Sequence, residues 1–154
     1  MKALKESIKK LEKAIEPLAK KMKGYENLIT MTGIASRSAG VLLSIIGDVK
    51  DFETKDKLAS YFGIVPRVNN SNMTVKHGRI TKLGSKTGRT TLVQCSLVAI
   101  RHSPYLKEYY ERIKKRRGHG KAKIATARKY LGIIYDTLKN EWVFEDFNNF
   151  VLAE

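Results

Sequence analysis

The stretch from Gly63 to Arg89, GIVPRVNNSNMTVKHGRITKLGSKTGR, carries six lysines and arginines, one histidine and no acidic residue. Cations at this density neutralise phosphate oxygens, and Ser71, near the middle, adds a hydroxyl. The chemistry suggested is the handling of phosphodiesters. The stretch is too polar and glycine-punctuated for a core element. It is also too long for an ordinary connector, because structureless loops beyond about 12–15 residues are usually functional or disordered. A serine hydroxyl is a weak nucleophile that needs a base or strong electrostatic help. No carboxylate lies in the run, whereas Arg67, Lys76, Arg79, Lys82 and Arg89 could offset charge developing on a phosphate. From the residues alone, a loop serine bonded to its own backbone is the readier account of Ser71.

Other reactive side chains offer less. Cys95 sits in the apolar run LVQCSLVAI, which predicts a buried, inert thiol. A single cysteine excludes an internal disulfide and fits a reducing cytoplasm. His77, His102 and His119 are scattered and have no clustered cysteines, so no metal site is expected in this chain.

Charge enlarges the picture. The chain has 154 residues and a formal net charge of +15. From Lys76 to Lys129 there are sixteen Lys/Arg against only Glu108 and Glu111. From Asp136 onward the balance reverses, with Asp136, Glu141, Glu145, Asp146 and Glu154 against Lys139. An imbalance this large exceeds what a solvated face needs and points to nucleic acid. No apolar run approaches the ~20 residues of a spanning helix. The lysine-rich N-terminus has no following apolar core of a signal peptide. The expectation is a cytoplasmic, nucleoid-associated protein without a membrane partner.

The elements that must position these residues read as helices. Leu4, Ile8, Leu11, Ile15, Leu18, Met22 and Tyr25 alternate in steps of four and three, the seam of a coiled coil. Pro17 lies off that seam and predicts a kink rather than two helices, and Gly24 a bend or end. Residues 1–24 thus form a coiled-coil helix, and residues 4–25 predict a homo-oligomer, with packing on a neighbouring domain outside this chain as the alternative. Residues 25–154 form the helical domain. Within it, residues 28–48 predict a short helix, a glycine hairpin and a second helix capped by Ser36 or Ser38. This pattern resembles a helix-hairpin-helix, which holds a phosphate on backbone amides; Gly33, Ala35 and Ser36 are its candidate contacts. A short helix is expected from Asp51 to Phe62. In the basic loop, 63–89, Thr74–Lys76 and Arg79–Thr81 flank His77-Gly78 and suggest a short β-hairpin. C-terminal helices follow over 90–139. One starts near Lys86; a second is opened by Ser103-Pro104 as cap and first position. The last runs from Lys121 to Lys139, with Ile124, Ala127, Tyr130, Leu131, Ile134 and Leu138 inward. The fold class is all-α, with a projecting N-terminal helix.

The ordered set Gly33-Ile34-Ala35, Ile46-Gly47-Asp48, Gly63-Ile64-Val65-Pro66-Arg67, Ser71, Gly78-Arg79-Ile80-Thr81-Lys82, Gly84, Arg89, Ser103-Pro104, Tyr110, Lys121 and Ala127-Arg128-Lys129 is specific. It resembles the C-terminal domain of the insertion-sequence-110 (116/110/902) family of transposases over roughly Leu28 to Leu138. Where members commonly carry Ser-Gly this chain has Ser71-Asn72; Ser85 replaces an asparagine, and Gly88 an apolar residue.

The resemblance implies a two-part recombinase. A RuvC-like domain outside this chain would hold magnesium on an acidic tetrad, and the present domain would supply Ser71 as nucleophile. It implies DNA as substrate and, in some members, a guide RNA. DNA contacts are then expected from Arg67, Lys76, Arg79, Lys82, Lys86 and Arg89, besides the Gly33 hairpin. The rival reading is a non-catalytic helix-hairpin-helix DNA-binding protein. A helical adaptor would explain the heptad seam but not the sixteen cations.

Overall fold

A computed structural model describes residues 2–71 and 74–143, with backbone alone for residues 2, 3, 69–71 and 74–77. The architecture is all-α with one two-stranded ribbon. Its helices are α1 (Lys2–Lys20), α2 (Tyr25–Ile29), α3 (Ser36–Ile46), α4 (Lys55–Tyr61), α5 (Lys86–His102), α6 (Pro104–Arg117) and α7 (His119–Lys139). Strands β1 (Pro66–Ser71) and β2 (Thr74–Ile80) form an antiparallel hairpin between α4 and α5.

The core gathers around α7, whose Tyr130, Leu131 and Ile134 are fully buried. Leu28, Leu42, Leu58, Phe62, Leu92 and Leu106 close over it from the other helices. Two α7 tyrosines carry their hydroxyls to backbone acceptors, as buried phenols must. Tyr130 donates to the Thr32 carbonyl at 2.6 Å, and Tyr135 to the Phe52 and Glu53 carbonyls at 2.9 Å. These bonds fix the turn before α3 and the approach to α4.

Caps explain several boundaries. Ser103 Oγ accepts from the Leu106 amide with Pro104 in the first turn, as the sequence predicts. Thr54 and Ser85 cap α4 and α5 in the same way.

Other expectations need correcting. Neither Ser36 nor Ser38 caps α3: Ala35 occupies that position and offers no side-chain bond. The Asp51–Phe62 helix divides into a 3-10 turn, Val49–Asp51, and α4, because Asp48 accepts from Lys50 and Thr54 starts a new cap. Gly118, at φ 79°, alone separates α6 from α7, so α7 begins at His119. Ile124 is half-buried rather than inward. His77-Gly78 is not a turn. Both residues lie inside β2, and a register irregularity falls between Pro66 and Val68 of the facing strand. The turn position is 72–73, outside the described residues.

α1 passes Pro17 as one helix. Its root is docked: Ala19 is buried and packs on Gly40 of α3. Leu4, Leu11 and Leu18 remain 63–68% exposed, so the apolar residues of α1 lie open to solvent over residues 4–18. Met22 and Tyr25 leave it, because the chain turns after Lys20 and carries both into the core.

Candidate nucleic-acid interface

The β-hairpin stands on a braced base. There the amide of Thr81 donates to the Val65 carbonyl at 2.9 Å, and that of Lys82 to Gly63 at 3.0 Å. Gly63 and Gly84 both have left-handed φ. A side chain on Gly63 would strike the Leu83 carbonyl, and one on Gly84 the Tyr61 carbonyl. Two backbone crossings this close are open only to glycine. Lys82 is also left-handed, at φ 58°.

Arg89, from the first turns of α5, reaches under this crossing. Its Nη1 donates to the carbonyls of Phe62 (3.3 Å), Leu83 (3.0 Å) and Gly84 (3.2 Å). Both limbs of the hairpin are thereby tied to one helix.

From that base the ladder runs outward. Pro66 faces Ile80, and the pairing ends at Ser71 and Thr74. Six residues of strand span roughly 20 Å, so the backbone of Ser71 lies at the end away from the brace. Ile64 is buried and Val65 half-buried where the hairpin leaves the core.

The cations expected here divide into groups. Arg67 and Arg79 are exposed on the strands, and Arg67 Nη2 reaches the Thr81 carbonyl at 3.4 Å. Lys82 is exposed at the base, and Lys86 is exposed as the first residue of α5. These side chains leave the hairpin and the adjoining helix end positive. Lys76 contributes backbone pairing with Asn69; its side chain, like that of Ser71, lies outside the described set. Arg89 is half-buried, and its main observed role is the brace. Sequence reading missed that role because its acceptors are backbone carbonyls, which no residue type announces.

The glycine turn before α3 is a different environment. Gly33 is seated against the Cys95 carbonyl of α5, and Ile34 is buried. Ala35 is exposed and Ser36 half-buried at the start of α3. The helix start is uncapped, but α1 lies across it. Glu12 Oε1 accepts from Arg37 Nη1 at 2.9 Å, and Ile8, Leu11 and Ile15 line a groove with Ser36 and Arg37. The Arg37 guanidinium is thus already paired with a carboxylate, unlike the exposed cations of the β-hairpin.

No group of three or more His, Cys, Asp or Glu able to hold a metal occurs among the described residues. None of their helices is long and apolar enough to cross a membrane. Cys95 is buried, and burial pushes its thiol pKa upward; it lies under the Gly33 turn, not in the basic hairpin.

Comparison with known proteins agrees in one direction. Residues 25–111, from α2 through the β-hairpin into α6, match the transposase IS116/IS110/IS902 family. The chain is 31% identical over 124 residues to a pilin gene-inverting protein of Moraxella lacunata, covering 77% of this chain and 38% of that protein. It is 26% identical over 119 residues to the insertion element IS110 uncharacterized 43.6 kDa protein of Streptomyces coelicolor, covering 77% and 29%. A probable family 20 transposase of Pseudomonas aeruginosa shows 24% identity over 152 residues, covering 92% and 45%. The chain therefore spans less than half the length of each of these relatives.

Proposed function

This chain belongs to the IS116/IS110/IS902 transposase family, and on that premise we propose that it is the DNA-holding, serine-bearing domain of a recombinase. The observation that carries the reading is the placement of Ser71 at the outer end of a braced, acid-free, basic hairpin. Arg67, Arg79, Lys82 and Lys86 are exposed and would grip the phosphate backbone. Such contacts neutralise phosphates without reading sequence.

The chemistry is the one that the family resemblance implies for Ser71. Ser71 Oγ attacks a phosphorus atom of the DNA backbone, and the bond from that phosphorus to one deoxyribose oxygen breaks. The hydroxyl proton passes to a base that the Gly63–Arg89 run does not carry; on the resemblance, an acidic domain outside this chain would supply it, and magnesium held there would offset charge on the phosphate. The departing oxygen takes up a proton and leaves as a free hydroxyl. The phosphoserine ester conserves the bond energy, so a hydroxyl from another strand can reverse the attack, rejoin DNA and restore the serine. Arginines and lysines on the hairpin stabilise the charge that builds on the phosphoryl oxygens.

Two further parts belong to this reading. The α1 seam from Leu4 to Leu18 pairs copies of the chain, bringing two serines to one recombination site. The same basic surface is suited to a structured guide RNA, since phosphate contacts do not distinguish the two polymers. The glycine turn at Gly33, Ala35 and Ser36 would act as an auxiliary phosphate contact.

Two measurements test the proposal. Titrating this chain with duplex DNA across a salt series should give log K falling against log salt with a slope near −4 to −5, for about five neutralised phosphates. Binding that is absent, or indifferent to salt, overturns the reading. In the complete transposase, a nicked substrate should trap a covalent protein–DNA adduct at Ser71. Ser71→Ala should lose it while keeping affinity within a few-fold. Tight binding with no adduct on any residue would favour a purely DNA-binding role.

A further inference from the structure

The densest cluster of positive charge in the described structure is not on the β-hairpin. Between Glu111 and Lys123 there are seven lysines and arginines and one acid. They occupy the end of α6 and the start of α7, two helices joined by Gly118 alone. Beyond Tyr110 no residue of α6 is fully buried, and the first buried residue of α7 is Ala122. The two helices thus form an αα-arm whose tip is solvated.

The arm is stiffened at its root. Tyr110 is buried, and its hydroxyl is hydrogen-bonded to His119 Nδ1 across the junction. Lys129 Nζ of α7 lies 4.9 Å and 4.5 Å from the ring centres of Tyr105 and Tyr109 on α6. Such cation–π contacts add to the packing between the two helices. The tip cations are carried on a fixed frame.

Helix energetics account for four of the seven. Lys114, Lys115, Arg116 and Arg117 fill the last turn of α6, where cations favour the helix dipole. Lys121 and Lys123 lie at the opposite kind of terminus, where cations are unfavourable. The first turn of α7 has no acidic residue and its N-cap no side-chain bond. Among the described ion pairs only one, Lys114 with Glu111 at 3.2 Å, involves the tip. The uncompensated charge costs stability through self-repulsion, which a polyanion would relieve.

We propose that the α6–α7 tip is a second binding surface for the phosphate backbone of duplex DNA, acting independently of the β-hairpin. Lys115, Arg116, Arg117 and Lys121 are its principal contacts. All four are exposed. No described hydrogen bond or ion pair joins the tip to β1 or β2. A protein that exchanges strands must hold more than one DNA segment, and two separate basic surfaces meet that need.

The test compares three variants of the full chain: K115Q/R116Q/R117Q/K121Q, R79Q/K82Q, and their combination. Glutamine keeps helix propensity, and circular dichroism checks that each variant folds. The tip variant should bind a duplex at least tenfold more weakly near 0.1 M salt. Its salt slope should be about three units shallower than that of the unaltered chain. The combined loss should be the sum of the separate losses in log K, as for independent sites. A tip variant that folds and binds within twofold, with an unchanged slope, overturns the proposal, whatever the hairpin variant does. Strongly non-additive losses would overturn the independence, making the two clusters one footprint. A tip variant that loses structured RNA but not duplex DNA would overturn the choice of DNA.

Discussion

Arg89 Nη1 lies 3.0 Å from the Leu83 carbonyl, and with Phe62 and Gly84 in reach as well it joins α5 to both limbs of the hairpin. All three bonds end on one nitrogen, a point that the shorter lysine side chain would not reach from the same backbone position. Arg89→Lys and Arg89→Ala should both destabilise the fold, the alanine by about 2–3 kcal/mol, since charged hydrogen bonds are lost and carbonyls left unpaired. Denaturant unfolding measures this. Hydrogen exchange should locate the damage, with the Thr81 and Lys82 amides losing protection before those of α7. If these amides kept their protection in Arg89→Ala, the brace would not be what holds the hairpin.

Gly88 stands where the resemblance leads to an apolar residue, and its packing is tight. It is buried in α5, and an added Cβ would lie 2.7 Å from Ile45 Cδ1 and 3.3 Å from the Phe62 ring. A side chain at this position would have to turn the end of the Ile45 side chain aside and press on the Phe62 ring. Gly88→Ala gains helix propensity of up to about 1 kcal/mol but meets overpacking that typically costs 1–3 kcal/mol. The net expectation is a loss of about 1 kcal/mol, read from the urea midpoint. The second substitution Ile45→Val in the same chain should recover part of it by removing the facing methyl.

What could be read from the sequence was mostly helix chemistry. Ser103-Pro104 states a cap outright, and the inward face of α7 follows from spacing, apart from the half-buried Ile124. Relationships between distant backbones could not be read. The hairpin turn was expected at His77-Gly78 because glycine often marks turns, whereas Gly78 lies in β2 opposite the Arg67 side chain. The heptad pattern continued to Tyr25 because spacing alone does not reveal that the chain turns after Lys20. The site was legible as a composition, basic and acid-free. Its division into surface cations and one structural arginine depended on carbonyl positions.

Cys95 offers a probe of the core beneath the Gly33 turn. It is 3% exposed, and burial raises its pKa, with a hydrogen bond to Ser38 opposing the shift. A thiol reagent at pH 8 should therefore react only as fast as the protein opens, and at the rate of a free thiol in denaturant. The sign for stability follows. The folded thiol stays neutral to higher pH than the unfolded one, so its contribution is full below the unfolded value. It is lost as pH rises towards the folded value. Burial also raises the Tyr130 phenol, adding a loss in the same direction above about pH 10. Unfolding free energy measured from pH 7 to 10.5 should decline, and Cys95→Ser should not abolish the part above pH 10.

The α1 seam gives the last prediction. Leu4, Leu11 and Leu18 are 63–68% exposed and Ile8 and Ile15 43–49%, on a helix docked at its root by Ala19 against Gly40 and tied to α3 by the Glu12–Arg37 pair. Leaving a stripe of this kind in water forfeits apolar burial worth about 25 cal/mol per Å², and a second copy of the stripe is its geometric complement. The chain should sediment as a dimer or larger multimer. Leu4→Lys, Leu11→Lys and Leu18→Lys combined should return it to monomer without unfolding the domain, because none of the three belongs to the core around α7. The monomeric variant should still bind DNA through its basic surfaces, with affinity reduced only by the lost avidity. A monomeric mass for the unaltered chain would exclude self-pairing and leave the seam to another surface.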